Sequence, residues 1–144
     1  MINIFHTLLS ILCLYFFDIN QDNEHNNKND EMNIIINKQV FKAVLYDNPT
    51  AEKFKALLPI TIEMKELNNN EKYTDIPGKL STNPTNPGNI EAGDIMIYET
   101  NTLVLFYKSF RTNYSYTKVG RIEDPRGLES SLGKKEIIIS FELN

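Results

Sequence analysis

The stretch that most constrains this chain is 92–122, A-G-D-I-M-I-Y-E-T-N-T-L-V-L-F-Y-K-S-F-R-T-N-Y-S-Y-T-K-V-G-R-I. It holds the densest aromatic content and the most regular strand signals, and the segments after residue 31 read as strands and helices that pair with it or pack on it. Residues 95–98 and 103–107 are apolar, β-branched and aromatic, with the polar, turn-prone Glu99-Thr100-Asn101-Thr102 between them. That pattern predicts a hairpin with a four-residue loop. Gly93-Asp94 ahead of it is a turn dipeptide, since Gly tolerates positive φ and Asp bonds its own backbone. Residues 103–107 are apolar without interruption, which predicts a strand covered on both faces. Over 114–122, strict alternation puts Tyr114, Tyr116, Lys118 and Gly120 on one face and Ser115, Thr117, Val119 and Arg121 on the other. A strand so mixed suits the wall of a cleft; the simpler alternative is a half-exposed strand with two surface tyrosines.

Composition excludes more than it includes. The 144 residues fit one globular domain behind a leader. A net charge of -4 and scattered lysines argue against a nucleic-acid surface, which needs a basic patch. The single cysteine, Cys13, lies in the apolar leader, and the two histidines, His6 and His25, precede residue 32. The domain beyond therefore lacks a disulfide, a cysteine nucleophile, Ser-His-Asp chemistry and the usual zinc ligand sets. No catalytic residue, metal ligand or cofactor is assigned.

The leader, 1–17, is too short for a comfortable membrane span but has the length of a secretory h-region. It predicts export to the periplasm or medium. An uncleaved membrane anchor is the alternative, because no Lys or Arg precedes the apolar run and no small-residue cleavage site follows. Residues 18–31 are Asn-rich and charged, which predicts a disordered tether.

From residue 32 the elements follow in order. Residues 32–36 and 39–46 form an opening hairpin turning at Asn37-Lys38, with Phe41, Ala43 and Leu45 on one face and Val40, Lys42, Val44 and Tyr46 on the other. Asn48 is a helix N-cap and Pro49 the first helical residue; Ala51, Phe54, Leu57 and Leu58 form the helix's apolar stripe. Residues 60–67 alternate as a strand with Ile60, Ile62 and Met64 inward, and 71–76 form a short strand carrying Tyr73. Residues 80–90, with Asn83-Pro84-Thr85-Asn86-Pro87-Gly88, predict an ordered crossover loop. After the central stretch, Asp124 is a candidate N-cap with Pro125 opening a second helix, Leu128 and Leu132 lie one turn apart, and Gly133 ends it. The last strand, 136–142, puts Ile137, Ile139 and Phe141 on one face.

This order, with its Y-D-N-P-T-A helix start, L-L-P before a strand, N-P-G loop, A-G-D-I-M-I-Y, L-V-L-F-Y-K-S-F and Y-S-Y-T-K-V-G-R-I, closely resembles the small bacterial cyclophilin-like domain family over 32–143. The resemblance implies a mainly β fold: a closed cyclophilin-like barrel of about eight strands flanked by two short helices. It does not carry over the isomerase site. True cyclophilins use an arginine beside an apolar proline pocket, helped by Phe, Gln, Trp and His. Here the domain has neither His nor Trp, and Arg111, Arg121 and Arg126 match no catalytic motif.

Three functions compete. The first is a non-catalytic module whose cleft of Tyr73, Tyr107, Phe110, Arg111, Tyr114 and Tyr116 takes a peptide or small molecule. Tyrosines supply apolar area with a hydroxyl, and Arg111 suits a carboxylate or peptide carbonyl. An arginine at a loop tip, merely solvated, is the plain alternative. The second is a divergent peptidyl-prolyl isomerase with Arg111 as electrostatic donor. The third is a structural domain docking onto another protein. A hydrolase using Asp94 or Glu91 is poorly supported, because an Asp after Gly in a turn is usually bonded to backbone.

Overall fold

A computed structural model describes residues 30–144. The leader and the Asn-rich tether, apart from its last two residues, lie outside the described residues. The elements are β1 (Glu31–Ile36), β2 (Gln39–Leu45), α1 (Pro49–Lys55), β3 (Ile60–Leu67), β4 (Glu71–Asp75), β5 (Asn89–Ile90), β6 (Asp94–Tyr98), β7 (Thr102–Phe106), β8 (Phe110–Arg111), β9 (Thr117–Ile122), α2 (Leu128–Leu132) and β10 (Ile137–Leu143). Eight strands close an antiparallel barrel in the order β1-β10-β3-β4-β7-β6-β9-β2, leaving no free edge. The β5 and β8 strands form a separate two-stranded ribbon. No helix among the described residues is long and apolar enough to cross a membrane.

Local chemistry accounts for the joints. Asn37 and Lys38 both take positive φ, 49° and 68°, as the type I′ turn of a two-residue hairpin requires. The Asn48 side chain accepts from the Ala51 N–H at 2.8 Å and caps α1, with Pro49 at its start. The hairpin between β6 and β7 is tighter than its polar loop suggests: Tyr98 pairs with Thr102, leaving three loop residues, and Glu99 takes φ 54°.

The barrel interior is one apolar cluster. Ile34 and Ile36 of β1, Phe41, Ala43 and Leu45 of β2, and Ile139 and Phe141 of β10 all lie in it. Phe54 of α1 meets Phe141 edge-on at 5.8 Å, and α2 contributes Leu128 and Leu132. One cation is buried there. Lys72 of β4 is fully enclosed; its Nζ donates to the carbonyls of Gly133 at 3.0 Å and Lys135 at 2.6 Å, and lies 3.6 Å from Glu66. These acceptors replace the water it has lost and tie the segment after α2 to the barrel wall.

Two further sequence expectations give way. The second helix starts at Leu128, not Pro125. Asp124 instead accepts from the Arg126 N–H at 3.1 Å and pairs with its guanidinium, closing a turn that uses up the capping carboxylate. Strict alternation also fails on β9. Ile95 pairs with Gly120 and Met96 with Lys118, so Val119 is an extra residue opposite β6. This bulge resets the alternation: Thr117, Val119, Gly120 and Ile122 are all buried, while Lys118 and Arg121 are exposed. Tyr114 and Ser115 lie before the strand, outside the ladder.

Gly120 sits beside the bulge, wedged against β2. A Cβ placed there would come within 2.4 Å of the Val44 carbonyl oxygen and 3.3 Å of the Leu45 Cα, both backbone atoms that cannot swing away. Gly120→Ala is expected to destabilise the domain by about 2 kcal/mol or more, read as a lowered urea midpoint. An unchanged midpoint would show that β2 and β9 are less closely packed than described.

Candidate functional site

The outer face of the barrel at β4, β7 and β6 is not solvated as an antiparallel sheet's outer face commonly is. Period-two alternation sends Leu103 and Leu105 of β7 inward and Thr102, Val104 and Phe106 outward. Cross-strand register then builds rows on the outside: Tyr73–Val104–Met96, Asp75–Thr102–Tyr98, and Glu71 opposite Phe106. A second apolar cluster forms there from Met96, Val104 and Phe106 with Ile90 and Tyr116.

The cover comes from the crossover loop and the short ribbon. Asn89 pairs with Arg111 and Ile90 with Phe110, while Thr85 and Tyr116 exchange backbone hydrogen bonds at 2.9 and 3.0 Å. Gly88 permits the turn into the ribbon at φ 70°, and its N–H donates to the Asn86 side chain at 2.7 Å. The rings then run in a continuous chain: Phe110 to Phe106 at 5.7 Å, Phe106 to Tyr116 at 5.4 Å, Tyr116 to Tyr98 at 5.7 Å and Tyr98 to Tyr114 at 6.3 Å. Their tilted and edge-on contacts are those that aromatic quadrupoles favour.

Between this chain of rings and β4 lies a cavity of about 720 Å³. Tyr73, Phe110, Arg111, Tyr114 and Tyr116 all line it, as do Glu71, Asp75 and Tyr98. Tyr107, expected in the same cleft, is elsewhere. It follows Leu103 and Leu105 in parity, is buried, and donates its hydroxyl to Glu66 on the Lys72 side of β4. Burial, and then the Glu66 carboxylate, hold that phenol well above its ordinary pKa. Tyr107 instead borders a second cavity of about 580 Å³ beside α2, with Glu129 and Lys134. Arg111 is not at a loop tip but on β8; it is exposed and lines the aromatic cavity. Arg121 is exposed on β9, and Arg126 is held by Asp124. The Asp94 carboxylate accepts from the Glu91 N–H at 2.9 Å, the turn role expected of it.

Glu71, Asp75 and Tyr98 were not singled out from the sequence, yet the signal was there. Tyr73 faces outward, so its period-two neighbours on β4 must share that face, as Tyr98 shares Met96's on β6.

Glu71 is the unusual group. It is only 8% exposed, and no described residue bonds or pairs with its carboxylate. Burial, with Glu66 nearby, pushes its carboxyl up to about 7 from an ordinary 4.5. Burial also raises the Tyr116 phenol, with Glu71 next in effect.

The folded chain therefore keeps a proton on Glu71 between about pH 4.5 and 7 that the unfolded chain has released. In that window stability falls as pH rises. Glu71→Gln is expected to flatten this fall and to be the more stable protein above neutrality, read from urea midpoints across the window. Identical pH profiles for the two proteins would refute the buried, unpaired carboxylate.

The cyclophilin-like family model matches residues 34–142, which span every barrel strand in whole or in part. Among solved structures, the chain resembles that of the hypothetical protein AF2241 from Archaeoglobus fulgidus, determined in solution, with a TM-score of 0.54 and 17% identity. The likeness covers 79% of this chain and 94% of that one, and it extends to the fold alone. No curated protein matches the chain. The family match over most of the chain, on a closed eight-stranded barrel with two short helices, places this protein in the cyclophilin-like family.

Proposed function

We propose that this cyclophilin-like domain is a binding module, and that the aromatic cavity on the outer face of β4, β6 and β7 takes a peptide side chain or small molecule. The observation that carries this reading is the continuous chain of five rings beside a cavity of about 720 Å³. Concave sites of this size, mostly apolar with a few polar groups, are where proteins hold small ligands. Aromatic rings offer large contact area at small entropic cost, and the tyrosine hydroxyls add orientation.

The test is an NMR titration of the full chain with short peptides carrying proline or an aromatic residue. Signals of Tyr73, Tyr98 and Tyr116 are expected to move while those of Tyr107 stay, since Tyr107 lies on the other cavity. Tyr98→Ala, which removes the ring joining Tyr114 to Tyr116, is expected to weaken binding about tenfold or more. Silence from all three cleft tyrosines across the panel would sink the reading.

One observation favours a second reading, a divergent prolyl isomerase: Arg111 alone among the three arginines lines this cavity, beside Phe110. A guanidinium aimed at a prolyl amide nitrogen would favour the twisted amide. No other side chain of the isomerase set from His or Trp is available to the domain. A protease-coupled assay on an Xaa-Pro peptide is expected to give only the uncatalysed relaxation of tens to hundreds of seconds. Acceleration that disappears in Arg111→Ala would establish the enzyme instead.

A further inference from the structure

Resting on the cleft's role as a binding site, we infer that its ligand is an organic cation: an apolar or aromatic body on the rings, bearing a protonated amine or guanidinium that bonds to Glu71. Three features converge. Glu71 lines the cavity, the residue as a whole is 8% exposed, and its carboxylate has no hydrogen-bond or ion-pair partner among the described residues. Its neighbour Asn70 lines the same cavity, and its side-chain oxygen is buried without a donor. The walls beside them are tyrosine rings, whose negative faces attract cations.

Buried polar groups are ordinarily satisfied; a carboxylate on a cavity wall with no protein partner, beside one buried amide oxygen also without a donor, is open to donors from outside the chain. An ammonium brings three N–H donors and a guanidinium five, each charge-assisted against a carboxylate. The contrast with Lys72 is instructive. The next residue along β4 points to the other side of the wall, and its charge is fully met by two carbonyls and Glu66. Asp75, also on the cleft side, already accepts from the Thr102 hydroxyl at 2.7 Å. Arg111 is the cation on the cavity's lining, yet it is exposed and forms no pair with Glu71. The Glu71 carboxylate is thus the acceptor left open. Burial, and then the Glu66 charge, raise its pKa.

Three probes of nearly equal shape test this on the unmodified full chain at about pH 8, where phenethylamine is still protonated and Glu71 is ionised. They are phenethylamine, 2-phenylethanol and phenylacetate. Phenethylamine is expected to bind at least about tenfold more tightly than the alcohol, and phenylacetate most weakly, with the shifts on Tyr73, Tyr98 and Tyr116. Glu71→Gln should erase the preference for the amine. Glu63→Gln, which removes an equal charge from an exposed position outside the cavity, should keep it. Equal binding of amine and alcohol at the cleft would overturn the inference while leaving the cleft as a binding site. Selectivity that survives Glu71→Gln would remove Glu71 from it, and no cleft shift from any probe would overturn both readings.

Discussion

Strand β7 is dry on both faces, and much of the molecule answers to that one condition. Its inward side, Leu103 and Leu105, is met by the barrel interior. Its outward side, Val104 and Phe106, cannot be left to water without exposing a contiguous apolar patch. The eleven residues of the crossover loop and the β5–β8 ribbon exist, in physical terms, to cover it. Because the cover is a short ribbon and not a packed helix, it does not fill the space it encloses. The cavity is what remains between an apolar strand and an incomplete lid of rings.

The same condition explains what can and cannot be read from the residues. Alternation on β3 identifies the core face directly, since Thr61, Glu63 and Lys65 give that strand one polar side. On β7 there is no polar side, so composition does not say which aromatic faces where. Parity does: counting by twos from Leu103 and Leu105 sends Tyr107 inward, away from the cleft it was grouped with. The β9 bulge at Val119 leaves no mark in composition, because it is defined by pairing with β6 and not by any residue's preference. The start of α2 is hidden for a different reason. Asp124-Pro125 is a good helix opening in isolation, but Arg126 claims the carboxylate first.

Glu71 and Lys72 show how one strand divides two environments. Adjacent in sequence and opposite in direction, one is buried and unpaired, the other buried and fully bonded. The lysine's arrangement is structural: its acceptors belong to the segment that brings the chain from α2 to β10. The glutamate's arrangement works against folding at neutral pH, and no described contact offsets it. Local destabilisation of this kind is what a site built for recognition tolerates and a purely structural position does not.

The barrel and its outer ribbon are joined by few bonds. Apart from the rings, the ribbon is held by its own two-residue pairing, by the Thr85–Tyr116 bridge and by a handful of loop contacts. Over evolutionary time this gives descendants of such a chain two separate inheritances. Residues 80–90 and 108–116 can diverge, lengthen or acquire new rings, and the closed ladder beneath them keeps its register. New recognition can then arise by drift in the ribbon without passing through an unfolded ancestor.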